Sequence, residues 1–541
     1  MNGITFNKAE GNLGRPLPGE DYISGMLFYT ANGNLPSGWT TSSRVKALFG
    51  VSDAIAAGIL PAYDKNNRYS DSNFTDATAA TGTYLVTTAG TNGDIITITS
   101  KRLIISTDAN NPGITYDTVT LGTYTKVSGD NTVALVATAI AAAINARTYI
   151  HGFSASVNTA TVTITAPKSQ GVALNGSHAI IGATPIVVTL SSGATMAGTL
   201  TQFSGGTQSK QAIWYYHISE YFRLNPKGQL YVGFYAVPGT YTFTEITTMQ
   251  NYADGKMRQI GIYLGSECHA FTSGDLTAIH TEIVTNNDAY YQPLSALYGA
   301  DLSATTDLST LTNLNTLSAY KASAVIGQDG AQQGAFLYSA GGKSITCVGA
   351  ALGATSLAAV SDDIGWIQKF NLSNGSELDV PAFANGQLYS AVSQSYVTAI
   401  DNLRYIFIQK YRGNAGSYFN DSHCAVSISS DYAYIENNRV IDKAIRGMYA
   451  SLLPSLKGPL LLNTDGTLAD TTVEYLRSLG GVNLDQMVRN VDLSGYQILI
   501  PTTQNVQTTG NLQISAQLLG IGVARNITVN IGFVLALTGG Q

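Results

Sequence analysis

The feature of the sequence that most constrains its fold is an alternation of strand and helix patterns between residues 212 and 330. The apolar run QLYVGFYAV at 229–237 is typical of a strand that is buried on both faces, and MRQIGIYL at 257–264 is a second such run. A helical pattern with its apolar residues on one side follows each of them. Strands and helices that alternate in this way predict an open α/β sheet.

The composition and the residue pattern of the sequence change between residues 81 and 207. Short Thr, Val and Ile runs, such as DIITITS and ATVTITA, alternate with Gly, Asn and Asp turns, and one Ala-rich helical pattern interrupts them at 131–146. The helical pattern before this stretch ends without completing a core, and a new one resumes at Ala212. We therefore expect a β-rich domain at 81–207 that is inserted into the α/β domain.

The remaining domain limits follow from these two regions. Residues 1–30, rich in Gly and Pro, predict an extended N-terminal arm, which contains a short apolar stretch formed by Met26, Leu27, Phe28 and Tyr29. A helical pattern follows at about 42–60. The α/β domain is then discontinuous and takes residues 31–80 together with 208–398.

The last part of the chain has an α+β pattern. Residues 399–523 contain a long helical pattern that ends near Pro454, a second one, DTTVEYLRSLG, and two strand patterns. In the closing segment, 524–541, apolar residues alternate with small or polar ones, which is typical of a strand with one buried face. Its apolar residues are Ile527, Val529, Ile531, Phe533 and Leu535. The whole chain is thus expected to be an α+β multidomain protein that ends in edge strands.

Composition excludes several classes of function. Only 12% of the 541 residues are charged and the net charge is −6, which gives no basis for nucleic-acid binding. No apolar stretch is long enough to cross a bilayer, and the first residues lack the pattern of a signal peptide. Three distant cysteines predict neither a disulfide framework nor a metal site. We expect a protein that folds in the cytoplasm and does not insert into membranes.

No motif for catalysis or cofactor binding stands out. GGKS at 341–344 ends like a phosphate-binding loop, but Leu337 occupies the position where that motif needs its first glycine. The six histidines lack metal-ligand spacing. The sequence therefore predicts a protein that is not an enzyme and that needs no cofactor or metal.

Basic residues near the C-terminus have two interpretations. In a chain with few charges they are either solvated helix faces or a docking surface for an acidic partner. They are Arg439, Lys443, Arg446, Lys457, Arg477 and Arg489.

Three stretches together resemble the contractile tail sheath proteins of bacteriophages and related injection systems. They are the arm GRPLPGEDYISGMLFY at 14–29, the segment from YRGNAGSYFNDSHC to YIENNRVIDKAIRGMY at 411–449, and the closing order of helix, strand, strand and terminal strand at 473–535. The resemblance covers both ends of the chain and, loosely, the α/β middle; the inserted region lies outside it.

The resemblance implies a structural subunit that polymerises as stacked, typically hexameric rings around an inner tail tube. Contraction would drive the tube through a target cell envelope. The implied partners are further copies of the chain, the tube protein, and baseplate and tail terminator proteins, without contact to nucleic acid. The implied location is the virion tail, after assembly in the cytoplasm of the host bacterium.

At residue level the resemblance implies that both termini join neighbouring subunits. The strand at 527–535 and the stretch Met26–Tyr29 would each add to the sheet of a neighbour. Lys457, Arg477 and Arg489 are the candidates for the surface that faces the tube. The alternative is an adhesin or receptor-binding structural protein of a virion or cell surface, which the β-rich region suggests.

Overall fold

A computed structural model describes residues 21–61, 74, 76–108, 110–373 and 377–533. The chain divides into two compact units, unit 1 (Met1–Arg446) and unit 2 (Gly447–Gln541), and the division falls within a helix. Helices and several small sheets are mixed in the chain, which confirms the predicted α+β multidomain class.

The regular elements of the described residues are as follows. The strands are β1 (Ile23–Tyr29), β2 (Val45–Leu48), β3 (Thr81–Thr88), β4 (Ile95–Ile105), β5 (Ile114–Thr125), β6 (Ser154–Asn158), β7 (Thr161–Thr165), β8 (Ile186–Leu190), β9 (Ala197–Ser204), β10 (Gln229–Tyr235), β11 (Gln259–Tyr263), β12 (Ser295–Gly299), β13 (Ser318–Ala319), β14 (Ala322–Ala324), β15 (Gly327–Asp329), β16 (Pro381–Phe383), β17 (Ile408–Gln409), β18 (Tyr418–Phe419), β19 (Ala425–Val426), β20 (Gly495–Leu499) and β21 (Ser515–Leu519). The helices are α1 (Val51–Ala56), α2 (Val133–Asn145), α3 (Thr148–His151), α4 (Lys210–Leu224), α5 (Glu245–Tyr252), α6 (Ser273–Asn286), α7 (Gln333–Gly341), α8 (Val348–Leu357), α9 (Gln394–Asn402), α10 (Ile435–Leu452), α11 (Asp470–Arg489) and α12 (Val506–Thr509).

Unit 1 is built on a six-stranded sheet with the order β14-β12-β11-β1-β10-β2. The first five of these strands are parallel, and β2 pairs antiparallel to β10 at the edge. Helices α4 and α8 cover one face of the sheet with Met26 and Phe28, while α5 and α6 cover the other face with Leu27. The expected open α/β sheet is present, and its central strands are apolar runs because both faces are buried.

Strand β1 corrects the prediction for the N-terminal arm. All seven of its residues are buried, and they pair with β10 from Ile23 opposite Gln229 to Tyr29 opposite Tyr235. The other edge of β1 pairs with β11. Both edges of the strand are therefore occupied within the chain, so the prediction that Met26, Leu27, Phe28 and Tyr29 add to a neighbour's sheet is wrong. Residues 1–20 of the predicted arm lie outside the described residues.

The β-rich region has a hydrophobic core of its own. Strands β6, β7, β3 and β9 form one antiparallel sheet and β5, β4 and β8 form another, with α2 packed against them. At its base the backbone of Thr207 donates to the carbonyl of Thr78, and the Thr207 hydroxyl accepts from Thr78 N at 2.7 Å. Helix α7 contributes Phe336 and Ala340 to this core and Leu337 to that of the α/β sheet. One helix thus packs into both cores.

The segment after residue 399 packs differently from the prediction. Tyr405 and Phe407 are buried in the core of the α/β sheet, and Ile406 forms a parallel bridge with Val325. Unit 1 therefore extends to Arg446, whereas the predicted domain boundary lies at 399.

A buried ion pair ties α10 to the strand region before it. Lys321 and Asp442 are each 4% exposed, and the Lys321 ammonium lies 2.5 Å from a carboxylate oxygen of Asp442. Asp288 accepts from the same ammonium at 3.3 Å. A charge buried to this degree depends on its partner, because neither water nor another ion replaces it.

We expect Lys321→Met to lower the free energy of unfolding by about 3–5 kcal/mol, since the buried carboxylate of Asp442 would lose its counter-charge and the half-buried one of Asp288 would lose a partner. Urea denaturation followed by circular dichroism measures the change. The matched control is Lys410→Met, which removes an exposed pair with Asp379, and there we expect a loss of no more than about 1 kcal/mol. Equal losses in the two variants would contradict the role given to the buried pair.

Buried carboxyl groups give unit 1 a dependence on pH. Glu377 lies near Asp329 and Glu220, and burial together with repulsion from these groups raises the pKa of Glu377 and of Asp329. Burial and the neighbouring carboxylates also raise the pKa of Asp363. Between the ordinary carboxyl pKa and these raised values the folded state binds more protons than the unfolded chain.

The free energy of unfolding should therefore fall as the pH rises through the upper part of this interval, and we expect a higher denaturation midpoint at about pH 7 than at about pH 8.5. Above about pH 7 the buried His217, whose pKa burial lowers to about 3, is neutral in both states and does not oppose the effect. Carboxyl groups with a lowered pKa, such as Asp301 at about 2, stay ionised across the range and do not mask the effect. Glu377→Gln should flatten the dependence. A midpoint that is unchanged with pH in the original chain would refute this expectation.

Candidate assembly surfaces

Unit 2 presents a two-stranded hairpin packed against a long helix. Strands β20 and β21 are antiparallel, with Gly495 opposite Leu519 and Leu499 opposite Ser515. The buried side of α11 includes Leu476, Leu484 and Met487. Two isolated strands are marginal in water, so the helix supplies most of what stabilises the hairpin.

Close contact between helix and hairpin depends on two small residues in α11. A Cβ atom on Gly480 would lie 3.2 Å from the Cδ1 atom of Ile498, and one on Gly481 would lie 2.8 Å from the hydroxyl of Tyr496. The Tyr496 hydroxyl donates to the carboxylate of Asp485 at 2.6 Å, one turn further along the helix. The hairpin is therefore held in a defined position on α11.

Both outer edges of this hairpin are unpaired among the described residues. Strand β20 pairs with β21 alone and β21 with β20 alone in the part of the chain that the structure covers. Backbone groups at such edges are free to pair with an added strand.

The segment that follows, residues 521–533, will be called the terminal segment; it contains no helix or strand within these limits. Its apolar side chains Ile527, Val529, Ile531 and Phe533 are 70–110% exposed. They alternate with Thr528, Asn530 and Gly532, so the pattern of a one-faced strand is present although no strand is formed in the single chain. Leu535, the fifth predicted residue, lies outside the described residues.

The predicted tube-facing basic residues are dispersed over unit 2. Lys457 is exposed in the loop after α10, and Arg489 is exposed at the last residue of α11. Arg477 forms an ion pair with Glu474 one turn before it. At about 100° per residue, Arg477 and Arg489 lie about 120° apart around the helix axis. The structure does not bring the three residues to one face.

Sequence reasoning missed two residues that share a face with Arg489. Tyr475 and Val482 are 57% and 51% exposed and precede Arg489 at intervals of seven residues, so all three lie along one side of α11. We call Tyr475, Val482 and Arg489 the exposed stripe. The sequence contains the pattern that could have identified them. Tyr475 and Val482 are seven residues apart, which places both on the side of α11 opposite the buried Gly480 and Gly481.

The three basic residues of α10 have structural roles instead. The Arg439 guanidinium donates to the backbone carbonyls of Ala358 and Ala359. Lys443 and Arg446 both contact the carboxylate of Asp21, just before β1. Burial raises the pKa of Asp21, but these cations outweigh it and hold that pKa below its ordinary value.

The residues of the GGKS motif make contacts within the chain. Lys343 of GGKS pairs with Asp301 at 2.7 Å, and the Ser344 hydroxyl donates to the carbonyl of Ala384. Within the described ranges no cluster of three or more His, Cys, Asp or Glu residues is suited to a metal ion. Nor does any helix of those ranges have the length and apolar character to cross a membrane.

The chain belongs to the DUF2586 family. The model of its N-terminal domain matches residues 1–423, and that of its C-terminal domain matches residues 431–538. A comparison with curated proteins finds no match.

Among solved structures, a chain of the anti-feeding prophage (AFP) baseplate is 14% identical, over 59% of this chain and 80% of that one, with a TM-score of 0.39. The sheath complex of the extracellular contractile injection system PVC, in its contracted state, is 13% identical over 60% and 80%, with a TM-score of 0.38. A sheath tail protein from Listeria innocua is 9% identical over 92% and 94%, with a TM-score of 0.35. The last two are sheath proteins, the class that the sequence resembles, but at these TM-scores the likeness does not extend to the detailed arrangement of elements.

Proposed function

We propose that this protein is the subunit of a contractile tail sheath, which polymerises as stacked rings around an inner tube and contracts to drive that tube through a target cell envelope. It has no catalytic role in this proposal. The observation that carries the proposal is the terminal segment, an alternating apolar strand pattern that is almost fully exposed. It follows a hairpin whose two outer edges have no strand partner among the described residues. The alternative of an adhesin is not favoured.

The terminal segment is suited to β-augmentation, the addition of a strand from one chain to the sheet of another. Its side chains Ile527, Val529, Ile531 and Phe533 point to one side when the segment is extended. The acceptor in our proposal is an outer edge of the β20–β21 hairpin of a second copy, which no strand of the described part of the chain occupies and where α11 supplies an apolar layer.

Burial of the apolar side chains is the largest favourable contribution to such a joint. Burial of the four described side chains contributes roughly 6–12 kcal/mol before ordering costs, at about 1.5–3 kcal/mol each. Ordering of the segment and loss of rigid-body freedom offset part of this gain. Backbone hydrogen bonds add direction more than energy. In the proposed contraction this joint persists while other contacts between subunits rearrange.

Truncation of the chain after Val523, which removes residues 524–541 and with them the alternating apolar residues of the terminal segment, should leave a folded protein that no longer forms rings or cylinders. Negative-stain electron microscopy of the purified protein gives the assembly state, and circular dichroism gives the fold. Persistence of unchanged cylinders would show that this segment is not the joint.

A matched pair of point variants separates the apolar face from the segment as a whole. Ile531→Asp places a charge on the face that becomes buried, and should abolish assembly because an unpaired buried carboxylate costs several kcal/mol. Asn530→Asp places the same charge on the opposite side and should leave assembly intact. Equal effects of the two substitutions would argue against a one-faced strand.

We further propose that the exposed stripe of α11 faces the inner tube. Tyr475 and Val482 supply apolar contact area, and Arg489 supplies a charge that an acidic group of the tube would pair with. Lys457 and Arg477, the other two predicted tube-facing residues, do not belong to this stripe and would contact the tube from another side of unit 2. Baseplate and tail terminator proteins are the proposed partners at the ends of the sheath, and the virion tail is the proposed location.

Tyr475→Ala combined with Val482→Ala should weaken binding of the tube by about tenfold or more, because a buried tyrosine commonly contributes over 1 kcal/mol at an interface. Co-sedimentation of sheath protein with preformed tubes measures the effect, and sheath self-assembly should be spared. We also expect Arg489→Glu to weaken binding more than Arg477→Glu, since Arg477 is paired with Glu474 within α11. Loss of folding in the double variant would assign these residues to stability instead.

A further inference from the structure

The order of the parallel strands in unit 1 creates a switch point, the place where open α/β sheets commonly bind ligands. Taken in chain order as first to fifth, the strands β1, β10, β11, β12 and β14 are arranged 2-1-3-4-5. Successive connections from β1 and from β10 therefore leave in opposite directions, which creates a switch point between β1 and β11. In open α/β sheets, ligands bind in the crevice outside the carboxyl ends of the strands at such a point.

A crevice is present at this place. It is lined by Tyr29 at the end of β1, by Tyr263 at the end of β11, and by Ile213 and Trp214 of α4. Lys210, the first residue of α4, and Glu267, in the loop after β11, also line it. The Lys210 ammonium and the Glu267 carboxylate are 2.5 Å apart and about one quarter exposed.

The carboxylate of Glu267 accepts hydrogen bonds from two further elements. One oxygen accepts from the Thr30 hydroxyl at 2.9 Å and from the Ala31 backbone N–H at 3.2 Å, both directly after β1. The other accepts from Lys210 and, at 3.5 Å, from the Asn34 side-chain amide. A hydroxyl, a backbone N–H, an amide and an ammonium thus converge on one anionic group, as they do around a bound anion.

The charge state of Glu267 agrees with this arrangement. Burial raises the pKa of its carboxyl, but the hydrogen bonds from Lys210, Thr30 and Ala31 outweigh burial and hold that pKa below its ordinary value. The group is therefore ionised at neutral pH, and its donors are engaged from within the chain.

We infer that the switch-point crevice is an anion site of carboxylate chemistry whose occupant in this protein is its own Glu267. The side chain joins the loop after β1, the loop after β11 and the start of α4 in the place where folds of this strand order hold a free ligand. Without the Glu267 carboxylate, the four donors would accept a small free carboxylate such as formate. This inference concerns the folded subunit and does not depend on the proposed function.

The test is chemical rescue of Glu267→Ala in the full chain, with formate as the probe. The melting temperature is measured in about 100 mM sodium formate and in sodium chloride at equal ionic strength. We expect Glu267→Ala to melt below the original protein in chloride, and formate to raise its melting temperature by about 2–3 °C. The original protein should show no such shift.

Three control variants define the outcome. Asp379→Ala removes an exposed carboxylate that pairs with Lys410, so formate should not rescue it. Glu267→Ala with Lys210→Met lacks the ammonium and should lose the rescue. In Glu267→Gln the amide fills the position, so no formate shift is expected. A formate shift in either of the last two variants, or one of equal size in Asp379→Ala, would overturn the inference.

The stability of Glu267→Ala without formate is a second test of the inference. If Glu267→Ala has the same melting temperature as the original protein, the carboxylate does not stabilise the contact between the two loops and α4, and the inference fails. If the variant does not fold in chloride, its recovery as folded protein in formate supports the inference, and failure in both salts overturns it.

Discussion

The structure of unit 1 depends on the burial of β1 between two partners that are distant in the sequence. Its seven residues lie in the middle of the sheet, and their partners in β10 begin 206 residues later. This arrangement pairs both backbone edges of the short strand and buries both of its apolar faces. The strand contributes Met26 and Phe28 to the core shared with α4 and α8, and Leu27 to the core shared with α5 and α6.

The β-rich region lies within this long connection and yet costs the fold little. Loop-closure entropy grows with the logarithm of length, so extending the connection from about 80 to about 206 residues adds about 1 kcal/mol at most. The actual cost is smaller, because the paired backbones of Thr78 and Thr207 bring the ends of the region together. Since α7 packs into the core of the region as well as that of the sheet, the region is held by more than its two connections.

Sequence patterns predicted β10, β11 and their helices because a strand buried on both faces is a continuous apolar run. The same reasoning failed for Met26–Tyr29, since a short run after a Gly/Pro-rich segment does not reveal where its partners lie. It failed again at 42–60, where a helix was expected. There Val45–Leu48 pairs with β10, and the shorter α1 begins only after Gly50, with Asp53 accepting from the backbone of Phe49. In both places tertiary pairing overrides local preference.

In unit 2 the sequence predicted the alternation of apolar and polar residues in the terminal segment. It did not predict that the segment is exposed and unpaired in the described part of the single chain. The pattern is compatible with a strand inside the fold, paired with β21, and the structure places it elsewhere: exposed, beyond a hairpin whose outer edges are unpaired in the described chain. A row of large apolar side chains in water is unfavourable, and a two-stranded sheet is marginal. Addition of the terminal segment to an edge of the hairpin addresses both problems. It buries the apolar side chains of the segment, and it gives the two-stranded sheet a third strand. In the proposed ring of identical copies, each terminal segment pairs with one edge of the hairpin of the next copy. The low charge of the chain favours such contacts, because few ions need to be desolvated when subunits meet.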